Sequence, residues 1–100
     1  MPRKLKVLCG SINPALGAAI CQALKIKPTA ADLGHFPGRE TSVQICENVR
    51  GADVFIVQSV CDSGNRRLSP NDALMELLLL IDAAKRASAS RITAVLPFFG

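Results

Sequence analysis

One hundred residues, nearly half of them apolar and a fifth charged, make one domain's worth of chain and exclude both a two-domain protein and a disordered one. The net charge of +4 is spread along the chain and all four aromatic residues are phenylalanines, so the basic, aromatic-studded face of a single-strand nucleic-acid binder is missing and nucleic acid is not an expected partner. The longest apolar stretch, Leu77 to Ile81, is far shorter than the about 20 residues a spanning helix needs, so no membrane partner is expected either.

In chain order, Lys4 to Cys9 reads as a short strand ending at Gly10. Asn13 followed by Pro14 starts a helix, because Asn accepts from unpaired first-turn amides while Pro brings none. The helix runs to about Leu24, with Leu16, Ile20 and Leu24 on one face. Pro28 breaks the pattern, and Ala30 to Phe36 is a strand interrupted by Gly34. Pro37 and Gly38 turn the chain into Thr41 to Glu47, a strand with Ser42 and Gln44 on a wet face.

Asp53 to Gln58 holds four consecutive apolar residues and reads as a strand covered on both faces. Ser59 to Asp72 is loop-like, and Ser69-Pro70 or Asn71-Asp72 caps a helix to about Ala87. Apolar residues surround most of that helix, which predicts burial all round, with Lys85 and Arg86 at the end where cations suit the macrodipole. Ile92 to Phe98 closes the pattern as a strand. Strands alternating with helices define an α/β sandwich whose sheet is mostly parallel.

Chemistry-bearing patterns are few. Cys9-Gly10-Ser11-Ile12-Asn13 has neither the dinucleotide nor the Walker glycine spacing and reads as a plain strand-to-helix turn. His35 is the single histidine, so no histidine cluster for a metal can form. Glu76 and Asp82 are six apart on a helix and face different ways. Cys9, Cys21, Cys46 and Cys61 form no CxxC pair and no leader peptide opens the chain, which predicts a cytoplasmic protein whose thiols act as small buried hydrophobes. The residues alone therefore yield an α/β domain and no catalytic constellation.

Several segments nonetheless resemble one family in order and spacing. They are Ser42-Val43-Gln44-Ile45, Glu47-Asn48-Val49-Arg50-Gly51, Asp53 to Ser59, Asn71-Asp72 with Leu74 to Leu78, and Arg86 to Pro97. Together they are similar to the start of the ribose-phosphate diphosphokinases (phosphoribosyl pyrophosphate synthetases). The resemblance implies a phosphoribosyltransferase-like three-layer sandwich, of which residues 1–100 form a partial N-terminal domain. It also implies a cytoplasmic homo-oligomer that, with Mg²⁺, transfers the diphosphoryl group of ATP to ribose 5-phosphate and releases AMP. An alternative is a catalytically silent relative with a regulatory or oligomerisation role.

By the same resemblance, the family's adenine loop falls on Phe36, Gly38, Arg39 and Glu40. Phe36 would stack on the base and Glu40 would accept from its amine. Gly38 stands where the family has Asp or Asn, removing a polar contact worth about 1 kcal/mol, and Arg39 replaces a small residue. A regulatory anion site falls on Asn48, Arg50, Ser88 and Arg91, whose guanidiniums suit forked contacts to phosphate. The segment Asp62 to Pro70 is longer than the family's connection. After Phe98-Phe99-Gly100 the family continues with Y-A-R-Q-D, so its catalytic residues and Mg²⁺ ligands are expected outside this chain.

Overall fold

The computed structural model describes residues 4–35, 41–60 and 69–97. Its elements in order are β1 (Leu5–Cys9), α1 (Pro14–Leu24), β2 (Ala31–His35), β3 (Thr41–Ile45), β4 (Asp53–Val57), α2 (Pro70–Arg86) and β5 (Arg91–Val95). β1, β4 and β5 form a parallel sheet with β4 in the centre, Leu5 opposite Asp53 and Asp53 opposite Arg91. β2 and β3 form a separate antiparallel hairpin, Ala31 opposite Ile45 and His35 opposite Thr41.

Alternation along the strands sorts the two faces of the parallel sheet. Val7 and Val57 point one way and pack with Cys21 of α1. Leu8, Val54 and Ile56 point the other way and pack with Leu77, Leu80 and Ala84 of α2. The half-buried Ala31, Leu33, Val43 and Ile45 of the hairpin join that second cluster, so α2 lies between the parallel sheet and the hairpin. The result is the expected α/β sandwich with a helix on each face of the sheet.

Both helices start where local chemistry predicts. Asn13 Oδ1 accepts from the Leu16 amide at 3.2 Å, with Pro14 in the first helical position. Ser69 Oγ accepts from the Asp72 amide at 3.1 Å while Asp72 Oδ2 accepts from the Ser69 amide at 2.9 Å, a reciprocal cap that satisfies two end donors. Lys85 and Arg86 occupy the last turn, where Arg86 also pairs with Asp82 at 2.9 Å.

Three expectations are corrected. α2 is not buried all round: Ala73, Leu77, Leu80 and Ala84 are covered, but Met75 and Leu78 are each about half exposed. Two surfaces meet this helix and leave a third side open, so apolar residues on that side stay in solvent. The thiols also divide, with Cys21 buried, Cys9 half-buried and Cys46 exposed beyond the end of the hairpin. The last strand stops at Val95, short of Phe98.

Glu47 fastens the hairpin to the sheet. Its carboxylate accepts from the Ala30 amide at 2.7 Å and from Lys6 Nζ at 3.0 Å, and those two donors, the amide foremost, hold its pKa below the usual carboxylate range. A lowered folded-state value means the stabilisation is present above the ordinary glutamate range and is lost as pH falls through the folded value. Glu47→Gln should flatten the acid limb of stability against pH, read by urea unfolding between neutral pH and the acid transition. Leu80→Ala removes a fully buried side chain and should cost about 3 kcal/mol, seen as a lower urea midpoint at unchanged slope.

Candidate functional site

In open parallel sheets, ligands gather beyond the carboxyl ends of the strands. Here that edge is tied together by a buried side-chain network. Glu76, fully buried on α2, accepts from the Ser11 amide at 2.6 Å and the Ser11 hydroxyl at 2.7 Å. Gln58, just past β4, donates from Nε2 to Glu76 Oε1 at 2.9 Å and to the Ala73 carbonyl at 3.2 Å. Its Oε1 accepts from the Ile12 amide at 3.3 Å. The amides of the β1–α1 turn, which in a nucleotide-binding loop would face phosphate, are thus used internally.

Gly10 is required by this arrangement. A Cβ there would collide with the Gln58 side-chain amide, while the Gly10 amide bonds the Val57 carbonyl at 2.8 Å. The turn is therefore a closed joint, in keeping with its reading as a plain strand-to-helix connection. The network itself was missed, because its members lie up to 65 positions apart. The one available signal was Glu76 set among the apolar residues of α2.

At the opposite, amino edge of the sheet two turns dock on each other. The Gly51 amide bonds the Ser88 carbonyl at 2.9 Å, and the Ser90 amide bonds the Ala52 carbonyl at 2.8 Å. Both turns use left-handed backbone, Gly51 at φ 72° and Ser88 at φ 66°, a conformation that suits glycine and costs serine about 1 kcal/mol or more. Asn48 Oδ1 accepts from the Arg50 amide at 3.0 Å, shaping the first turn. The structure so gathers Asn48, Arg50, Ser88 and Arg91 at one edge, all four exposed, with Arg50 in the turn before β4 and Arg91 opening β5.

Phe36, Gly38, Arg39 and Glu40, between the ends of β2 and β3, lie outside the described residues, as do 62–68 of the longer connection. Among the described residues no group of three or more His, Cys, Asp and Glu side chains converges as a metal site, and no helix is long and apolar enough to cross a membrane. On the α1 face of the sheet an apolar hollow of about 240 Å³ is lined by residues including Ile20, Leu24, Phe55 and Val95. Cys9 lies at that interface; burial, then the neighbouring Cys21, pushes its thiol pKa up to about 11.

Strand order, capped helices and paired turns define an α/β domain built on a parallel sheet. Its family follows from comparison with known proteins. Residues 5–100 match the family described as the N-terminal domain of ribose phosphate pyrophosphokinase, and the chain belongs to that family. It is 50% identical over 96 residues to the ribose-phosphate pyrophosphokinase of Shewanella oneidensis, covering 96% of this chain and 29% of that protein. The Clostridium perfringens protein of the same name is 50% identical over 99 residues, 98% of this chain and 29% of that one. The crystal structure of phosphoribosylpyrophosphate synthetase from Mycobacterium smegmatis superimposes with a TM-score of 0.86 at 38% identity, covering 96% of this chain and 30% of that chain. The chain thus spans under a third of the length of these relatives.

Removing the network's acceptor leaves the donors of Ser11 and Gln58 buried without it. Glu76→Ala should therefore destabilise by about 3 kcal/mol or more, measured by urea unfolding. Gly10→Ala should destabilise in the same assay, and pairing it with a shortened residue at Gln58 should restore part of the loss.

Proposed function

We propose that this chain forms the first part of a ribose-phosphate diphosphokinase subunit, an enzyme that moves the diphosphoryl group of ATP to the anomeric hydroxyl of ribose 5-phosphate and releases AMP. The observation that carries this reading is the family match across residues 5–100. The reading keeps the chain in the cytoplasm and in a homo-oligomer. The half-exposed Met75 and Leu78 of α2 give such an assembly an apolar surface to cover.

Within the proposal, Phe36 stacks on adenine, Glu40 accepts from its exocyclic amine, and Gly38 and Arg39 line the same loop. The ends of β2 and β3, fixed by the pairing of His35 with Thr41, hold the two ends of that loop together. Asn48, Arg50, Ser88 and Arg91 bind a regulatory anion. The docking of the Gly51 and Ser88 turns supports this by bringing residues nearly forty positions apart to one exposed edge. Mg²⁺ is part of the proposed reaction, but the described residues offer no set of three or more His, Cys, Asp and Glu side chains for it.

Phosphoryl transfer needs positioned charge around the moving group, and the proposal assigns those groups to polypeptide beyond the matched third. The 100-residue chain alone should therefore release no AMP from ATP and ribose 5-phosphate. Substituted for the matched segment of the Shewanella oneidensis relative, it should support synthesis. Phe36→Ala in that chimera should raise the dissociation constant for ATP about tenfold, the usual worth of one base stack. A folded chimera that binds ATP but makes no product would favour the silent, regulatory reading. Arg50→Ala and Arg91→Ala should each weaken phosphate binding in a calorimetric titration, and unchanged binding would remove the anion site.

A further inference from the structure

The contact between β1 and α1 places two thiols together in a way that the functional reading does not use. Cys9 ends β1, and its side chain turns toward α1. Gly17 stands directly opposite, and a Cβ added there would run into the Cys9 sulfur and its own Cβ. The helix therefore rests on the strand with almost no side chain between them. Cys21 is one turn further along the same helix face, four residues after Gly17. It is buried to 1% exposure in the cluster that Cys9 packs against, so both thiols lie in the one seam between β1 and α1. Neither is part of a disulfide.

We propose that Cys9 and Cys21 are a redox-modifiable dithiol that exchanges with a low-molecular-weight disulfide, such as oxidised glutathione, to form a disulfide joining β1 to α1. Cys9, the less buried of the two, is the entry point. Its thiol gives up a proton to solvent, the sulfur attacks one glutathione sulfur, and the other glutathione leaves as a thiolate that takes up a proton. Cys21 then loses its proton and attacks the Cys9 sulfur of the mixed disulfide, expelling the second glutathione. Two protein thiols are oxidised and one small disulfide is reduced to two thiols.

The same packing sets the pace. With the Cys9 thiol pushed up to about 11, only about one molecule in a thousand carries the reactive thiolate at pH 8. Entry is slow, and closure records sustained oxidation rather than a passing pulse. Once formed, the bond pins the turn containing Ser11, which Glu76 already ties to α2.

The test uses the full chain with Cys46→Ser and Cys61→Ser, leaving only this pair. Trypsin cleaves after Lys6 and Lys25 with no site between, so both sulfurs fall in one peptide. After incubation with oxidised glutathione, that peptide should weigh two hydrogens less, recover on reduction, and coincide with a higher urea midpoint. The equilibrium constant for closure should be roughly tenfold or more higher in native buffer than in concentrated urea, because the fold holds together thiols that the unfolded chain must bring together. Cys21→Ala should instead accumulate the glutathione adduct on Cys9. A closure constant no larger in the native protein than in urea would overturn the proposal, as would a Cys9 adduct that persists with Cys21 intact.

Discussion

The structure depends on one buried carboxylate. Glu76 lies fully covered on α2 and accepts hydrogen bonds from the Ser11 amide, the Ser11 hydroxyl and Gln58. Through them the helix on one face of the sheet grips the turn that launches the helix on the other. A buried carboxyl group is costly unless its oxygens are satisfied, so the helix, the end of β4 and the turn must arrive together or not at all. Hydrophobic burial of Leu8, Ile56 and Leu80 supplies most of the driving force. Apolar packing does not by itself fix the register of α2 along the sheet, whereas the Glu76 network does.

The second constraint is the middle position of α2. It must meet Leu8, Val54 and Ile56 on the parallel sheet and Val43 and Ile45 on the hairpin, which explains why so much of its circumference is apolar. Glu47 holds the hairpin in place by bonding Lys6 on β1 and the Ala30 amide ahead of β2. This link is exposed and modest in strength. Its value is directional, since among the described residues the hairpin shares no backbone ladder with the parallel sheet.

Local signals were legible in the sequence, and pairings between distant residues were not. Asn13-Pro14 marks the first helix start and Ser69-Pro70 is one of two starts open for the second, because capping involves neighbours only three residues apart. The four-residue apolar run in β4 places the central strand because burial on both faces leaves no room for polar alternation. The open side of α2 was not legible: Met75 and Leu78 have the same apolar character as Leu77 and Leu80, and only the positions of the sheet and hairpin separate them. For Glu76, nothing local announces a partner 65 positions earlier. The resemblance that identified the family came from ordered motifs, not periodicity. The grouping of Asn48, Arg50, Ser88 and Arg91 as an anion site came from that resemblance alone, since nothing in their local pattern marks them.

The two edges of the parallel sheet consequently differ in what they leave available. At the carboxyl edge, the first turn has its amides bonded to Glu76 and Gln58, with Gly10 leaving no spare room. An anion arriving there would have to displace an internal carboxylate already held at 2.6 and 2.7 Å, an exchange that gains no new donors. At the amino edge, the backbone groups are spent joining the two turns, but the side chains of Arg50 and Arg91 remain in solvent. Arginine needs no backbone help to bind an anion, since its five N–H groups form a fork of their own. Among the described residues, then, the first strand-to-helix turn has its amides occupied from within, whereas the amino edge presents two exposed guanidiniums.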